Sequence, residues 1–328
     1  MATYKGIQGY SVLNLSTDPT ASEVEGQLWY NSSTGKFKIA VAGAGAWASG
    51  GALNTARRAA MAGGVQSLAF VTGGSTAPPV SAISATEIYN GSAWTETGHA
   101  LTNARRYGVG FGTTTAGIAV GGTDPTVASD YTETYNGSTW SEVGDLNTPR
   151  TQIMCAVGGT TTAGLVFGGN PGGLDLTEKW DGTSWSEDAD LNTVRVAGGG
   201  AGTSTAALAS TGSTPGPFTA NTEKWDGTSW TEVNDVNQAR QGVGSAGHTN
   251  TAAMIFGGET PSLTVNTETW DGTSWTEVAN MANANYIAAG AGTSVAALCI
   301  GGYPVGASGL LTEEFSDPVY ANKTVTVS

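Results

Sequence analysis

Six glutamates, Glu87, Glu133, Glu178, Glu223, Glu268 and Glu313, stand one apiece in six copies of one short phrase. Paired carboxylates are the working groups of glycoside hydrolysis. A catalytic pair breaks symmetry, however, and this series keeps it, so a structural role is the better reading. A second series, Arg57, Arg105, Arg150, Arg195 and Arg240, supplies natural partners, with Asn285 in the sixth place. Each Glu is expected to meet an Arg of its own or the next copy, and a buried pair of this kind is costly to break singly. Copper oxidase chemistry wants several imidazoles with tyrosine ligands, and the chain has only His99 and His248. Asp181, Asp226 and Asp271 share a slot with Asn90 and Asn136, so turn chemistry explains that slot better than metal ligation does. The sequons at Asn90 and Asn136 are read as the same turns. Cys155 and Cys299 fall three copies apart, on opposite sides of a six-fold arrangement, beyond disulfide reach. They read as small buried thiols. No catalytic residue, metal ligand or cofactor is assigned.

The repeated phrase is the element that positions these groups. It reads TETWDGTSW at Thr267–Trp275 and TEKWDGTSW at Thr177–Trp185 and Thr222–Trp230. Looser copies are TETYNGSTW at Thr132–Trp140 and TEIYNGSAW at Thr86–Trp94, and a sixth begins TEEFSDP at Thr312. Trp94, Trp140, Trp185, Trp230 and Trp275 recur about every 45 residues, the mark of a repeat architecture. Polar–apolar alternation, an Asp-Gly or Asn-Gly turn, then β-branched and aromatic residues make each copy a β-hairpin. A lone hairpin is marginal in water and needs more strands and a neighbour.

Two further strands precede each hairpin. A segment ending in the repeated Arg leads into small residues, such as GVGFG at Gly108 and GVGSAG at Gly242, which suit an innermost strand where sheets converge. An apolar strand ending in two glycines follows, as in AFVTGG to Gly74, GIAVGG to Gly122 and MIFGG to Gly258; the fourth copy, LASTG to Gly212, breaks the pair. Trp47 stands in register with the tryptophan series, and the last copy stops at Phe315 without a tryptophan. A ring in which an early strand completes the final sheet accounts for both ends. An open solenoid would need caps instead. The expected architecture is therefore all-β: a six-bladed β-propeller over residues 43–315, four strands per blade, closed by the Trp47 strand. The blades are read as Gly51–Trp94, Gly98–Trp140, Gly144–Trp185, Ala189–Trp230, Asn234–Trp275 and Ala279–Phe315 with Trp47.

Residues 1–42 lack the repeat. Within them GQLWYNSSTGKFKIA, at Gly26–Ala40, forms a second kind of hairpin, too small for its own core. It is expected to dock elsewhere through Trp29, Tyr30 and Phe37. Residues 316–328 form a tail whose Val/Thr alternation makes it a candidate short strand. A net charge of −14 and few charged residues argue against nucleic acid and against anionic membrane as partners. No secretory signal is read, and no stretch of about 20 apolar residues would insert in a membrane.

The Gly-Gly after the second strand, the aromatic followed by Asp/Asn-Gly, and the Trp a few residues later resemble the kelch repeat, over about Gly43–Phe315. The Gly26–Ala40 hairpin looks like a module found near the N-termini of bacteriophage tail and fibre proteins, and kelch-like arrays of this wording resemble those of marine phage virion proteins. That resemblance implies a non-enzymatic virion protein, a tail fibre, appendage or capsid decoration, assembled in host cytoplasm. Its implied partners are other virion proteins, copies of itself and host-surface carbohydrate. Two alternatives stay open: a carbohydrate-active enzyme of galactose oxidase or sialidase-like type, and a cellular kelch-type adaptor. The loops after each Gly-Gly vary while the framework repeats, and loops on a rigid scaffold are where recognition resides. From them Asp124, Tyr131, Asp175, Phe218 and Tyr303 are the candidates for glycan stacking and hydrogen bonding.

Overall fold

The computed structural model describes residues 12–20, 24, 26–76, 81–124, 126–304, 308–317 and 319–325. The start of the N-terminal segment, parts of the loops after Gly74, Gly122 and Gly302, and the last three tail residues lie outside them. The protein is all-β, with a single 3-10 turn at Ser308–Leu310 among the described residues. It divides into two compact units, Trp47–Phe315 and the combination of Met1–Ala46 with Ser316–Ser328.

Among the described residues seven four-stranded sheets form, where the repeat count led to an expectation of six. The seventh combines strands from both sides of the repeats, in the order Leu13–Leu15, Leu28–Asn31, Lys36–Gly43 and Val319–Thr324. The alternating tail pairs antiparallel with Lys36–Gly43, Val319 facing Gly43 and Thr324 facing Lys38. The physical reason is that a hairpin alone leaves backbone groups unpaired along its edge. Asp18 knits this unit further. Its carboxylate accepts Trp29 Nε1 at 3.2 Å, Asn31 Nδ2 at 2.6 Å and Lys38 Nζ.

The other six sheets follow one pattern. In the third, Met154–Cys155, Gly164–Gly169, Leu174–Trp180 and Trp185–Asp188 lie side by side in that order, each pair antiparallel. Burial follows the alternation of the hairpin wording. Glu178 and Trp180 are buried on one face, and Lys179 between them is only half-buried. The sixth sheet runs Ala289–Thr293, Ala296–Ile300, Thr312–Ser316 and then Ala46–Ser49. Its outer strand thus comes from before the first repeat. Gly50 N–H donates to Thr312 O at 2.8 Å, and the Trp47 ring lies 5.4 Å from Phe315 and 5.1 Å from Phe256.

Neighbouring sheets are joined in three ways. First, the outer-strand indole of one sheet donates to a threonine of the sheet before it: Trp140 to Thr86, Trp185 to Thr132, Trp230 to Thr177 and Trp275 to Thr222, at 2.9–3.0 Å. Trp47 reaches Thr267 at 3.1 Å and Trp94 reaches Thr312 at 2.8 Å, so the series returns to its start. Second, the buried apolar side chains form six clusters, each drawn from two adjacent sheets. One joins Leu298 and Ile300 of the sixth sheet to Val71, Tyr89 and Trp94 of the first. Third, the first strands, Met61–Val65, Val109–Thr113, Met154–Cys155, Gly199–Thr203, Gly244–Thr249 and Ala289–Thr293, lie each against the next and the last against the first. Their small residues permit this approach. A Cβ added at Gly200 would stand 2.1 Å from the Cys155 carbonyl oxygen.

Trp47→Ala removes the two ring contacts and the bond to Thr267. Because Trp47 is half-buried, the expected loss is about 2–3 kcal/mol, toward the low end for large-to-small changes. Scanning calorimetry should then show the melting midpoint lowered by roughly 4–12 °C. An unchanged midpoint would mean that this strand does not complete the last sheet.

Candidate functional site

The two periodic charge series meet inside five of the sheets. Arg57 pairs with Glu87 at 2.6 Å, Arg150 with Glu178 and Arg195 with Glu223 at 2.5 Å, Arg240 with Glu268 at 2.6 Å, and Arg105 with Glu133. All ten side chains are buried. The carboxylates are also held by the loop just before the Arg. Glu223 accepts Asn192 N at 2.7 Å, Asn192 Nδ2 at 2.9 Å and Thr193 N at 3.2 Å. Burial pulls Arg57, Arg150, Arg195 and Arg240 below the usual arginine range, against the opposing pull of the facing glutamate. In the sixth sheet Asn285 replaces Arg. Its Nδ2 donates to Gly301 O at 2.6 Å, while Asn283 supplies both its N–H and its Nδ2 to Glu313. These carboxylates are therefore engaged in holding loops rather than facing a cavity in pairs.

The remaining polar groups of the repeat are similarly occupied. Asp181 Oδ1 accepts Thr183 N at 2.8 Å and Ser184 N at 2.9 Å, and these amides with the Thr183 hydroxyl hold its carboxyl down to about 2. Asn90 and Asn136 make the equivalent turns with a neutral side chain. His99 lies on the outer strand Trp94–Ala100, its Nδ1 2.6 Å from the Tyr135 hydroxyl. His248 lies on the first strand Gly244–Thr249 of the fifth sheet, where burial lowers its pKa. Cys155 and Cys299 are free and buried, and burial pushes the Cys155 thiol up to about 12.

The five loop candidates fall on four sheets. Asp124 ends the strand Ala116–Asp124, and Tyr131 lies within Val127–Tyr135, because the two strands extend through most of the expected loop. Asp175 is likewise a strand residue, in Leu174–Trp180, with its carbonyl accepting Leu191 N at 2.9 Å. Phe218 is half-buried and bridges to Ser213. Tyr303 is exposed, with the Arg58 guanidinium 5.2 Å from its ring centroid. Of the segment expected to dock, Trp29 is buried, whereas Phe37 is exposed with its ring 5.2 Å from Tyr30.

What sequence reasoning did not anticipate is a belt of backbone bonds. Ala59 N–H donates to Ile287 O, Tyr107 to Ala59, Gln152 to Tyr107, Ala197 to Gln152, Gly242 to Ala197 and Ile287 to Gly242, at 2.7–3.0 Å. All six residues have positive φ, between 50° and 64°, and five are not glycine. Such backbone costs about 1–3 kcal/mol per residue and persists where its surroundings over-determine it, often at functional sites. The belt borders a cavity of about 110 Å³ between the first strands. Just outside it stand Arg58, Arg106, Thr151, Val196, Gln241 and Tyr286, each bridged to the residue after its own sheet's second glycine position. A second cavity, of about 340 Å³, lies among the turns that follow the first strands, lined by Val65, Leu68 and His248. A doubled arginine, TARR and NARR, puts Arg58 and Arg106 just outside the belt in two copies.

No protein-family profile matches the chain, and no curated protein sequence matches it.

Arg195→Met leaves Glu223 charged and buried, so the expected loss is about 3–5 kcal/mol, read as a fall of the melting midpoint by roughly 6–20 °C. A loss under 1 kcal/mol would mean that the pair does not organise its sheet. A separate test concerns pH. Burial, with Glu314 accepting its hydroxyl, pushes the Tyr89 phenol up to about 12. An unfolded phenol ionises near ~10. The contribution is thus complete below pH ~10 and lost as pH climbs toward 12. Chemical denaturation at pH 9 and 11.5 should show a smaller loss of stability in Tyr89→Phe than in the parent. Equal losses would refute the assignment.

Proposed function

We propose that the Trp47–Phe315 unit is a closed six-bladed, kelch-like β-propeller completed by the Trp47 strand, and that the protein is a non-enzymatic structural component of a bacteriophage particle. Supporting the ring are the indole–threonine series and the backbone belt, both of which return to their starting sheet. The observation that carries the non-enzymatic part is the fate of the acidic series. Each periodic glutamate is buried against an arginine or asparagine of its own sheet, six times over. A hydrolase needs two carboxylates that differ in environment and flank a substrate.

In this reading the unit built from residues flanking the repeats serves as the attachment module, with exposed Phe37 on its surface. The propeller presents its variable loops outward, as a tail fibre, appendage or capsid decoration, where they contact host-surface carbohydrate. The low charge and abundant Thr and Ser suit a hydrated exterior. Mass spectrometry of purified particles is the test. Peptides from this chain at stoichiometric level are the expected result, and their absence from intact particles overturns the reading. Turnover on a glycan panel, abolished by changing one loop carboxylate, would instead establish an enzyme.

A further inference from the structure

We propose that Arg58 and Arg106, beside the belt of positive-φ residues, form a binding site for a saccharide that carries a carboxylate. The inference rests on the reading of this face as a recognition surface, though not on where the protein resides. Five arginines of the repeat unit are locked in buried pairs, but these two are not in any ion pair among the described residues. The Nε of each is buried and has no hydrogen-bond partner among them. A donor withdrawn from water without an acceptor is costly, and an incoming ligand oxygen would satisfy it.

The two guanidinium groups stand on adjacent sheets at equivalent positions. Their chain neighbours are hydrogen-bonded, Tyr107 N–H to Ala59 O at 2.8 Å, which holds the two backbones side by side. The other four copies carry Thr151, Val196, Gln241 and Tyr286 at that place, so the positive charge is confined to one side of the rim. Tyrosines frame it. Arg58 lies over Tyr303 and Arg106 over Tyr107, the latter 5.5 Å from the ring centroid. Tyr286 is close enough to Arg58, Tyr107 and Glu259 for all three to act on its phenol, whose pKa is raised chiefly by burial.

The chemistry of the ligand follows. A planar fork of N–H donors matches a carboxylate in two-point contact. Tyr303, the exposed ring of the three, offers an apolar edge with a polar tip, which suits a sugar ring. Glu259 on the same rim repels a second negative charge placed beside it, which favours a ligand with one.

Calorimetric titration of the full chain with methyl β-glucuronide, methyl β-glucoside, inorganic sulfate and a short acidic peptide tests the proposal. Saturable binding of the glucuronide is expected, at least tenfold tighter than that of the other three. Arg58→Gln and Arg106→Gln should each weaken it tenfold or more, and Lys224→Gln, on a different strand, should leave it unchanged. Arg106→Lys keeps the charge without the fork and guards against a folding defect; it should melt as the parent does and still bind several-fold more weakly. Equal binding of glucuronide and sulfate, preference for the peptide, or indifference to all three arginine variants overturns the proposal. Particle mass spectrometry leaves this result untouched, so the two readings fail separately.

Discussion

Each arginine of the repeat works in two directions at once. Its side chain reaches across its own sheet to the buried glutamate of the third strand, and its backbone carbonyl accepts the N–H of the second glycine position in the sheet before it. Gly74 donates to Arg105, Gly122 to Arg150, Gly169 to Arg195, Gly212 to Arg240 and Gly302 to Arg57, at 2.8–2.9 Å. Sheet geometry and sheet-to-sheet placement are thus set by one residue. The arginine also resolves a local conflict. Glu87 lies directly opposite Glu96, Glu178 opposite Glu187 and Glu223 opposite Glu232, arrangements that repel across strands. A guanidinium beside the inner member, with loop amides on its free lone pairs, offsets that repulsion. Desolvation nonetheless outweighs the attraction at Arg57 and Arg195, whose pKa values fall. A buried pair is weak evidence for stability on those grounds. Its contribution here is geometric, because both partners must be present and correctly placed.

Close approach is the second constraint, and it explains where the repeats tolerate change. The first glycine of each pair sits against the next arginine's carbonyl; a Cβ at Gly168 would stand 2.6 Å from Arg195 O. In the fourth copy Thr211 takes that place with φ of 53°. A β-branched residue at positive φ is strained, by about 1–3 kcal/mol. Its hydroxyl, however, donates toward the Arg240 carbonyl at 2.5 Å, with Thr219 O at 3.1 Å. The crowded contact becomes a hydrogen bond. The sixth copy shows a comparable substitution. Asn285 is too short to reach Glu313, and Asn283 takes over the carboxylate while Asn285 keeps the bond to the Gly301 carbonyl. Arg58, Arg106 and Tyr303 are among the positions that the repeat does not hold constant.

Much of this was legible in the chain because it depends on near-neighbour patterning. Alternation and the Asp-Gly turns determine the hairpins, since strand period and turn conformation are properties of a few adjacent residues. The recurrence of Trp94, Trp140, Trp185, Trp230 and Trp275 determines how many times the unit is built, and the early Trp47 marks the strand that completes the last sheet. The periodic Arg and Glu were recognisable as partners because equal spacing places them equivalently in every copy. Tertiary structure alone decided the rest. The tail and the N-terminal hairpin share a sheet through backbone bonds that no side-chain pattern encodes. Asp124, Tyr131 and Asp175 became strand residues because pairing continued past the glycines into segments that read as loops. The belt through Ala59, Tyr107, Gln152, Ala197, Gly242 and Ile287 joins residues about 45 apart by main-chain bonds, and unlike side chains there hide a common conformation. Whether a charge enters an ion pair, as Arg57 does, or enters none among the described residues, as with its neighbour Arg58, depends on which face of the chain meets the third strand, and only the folded geometry settles that.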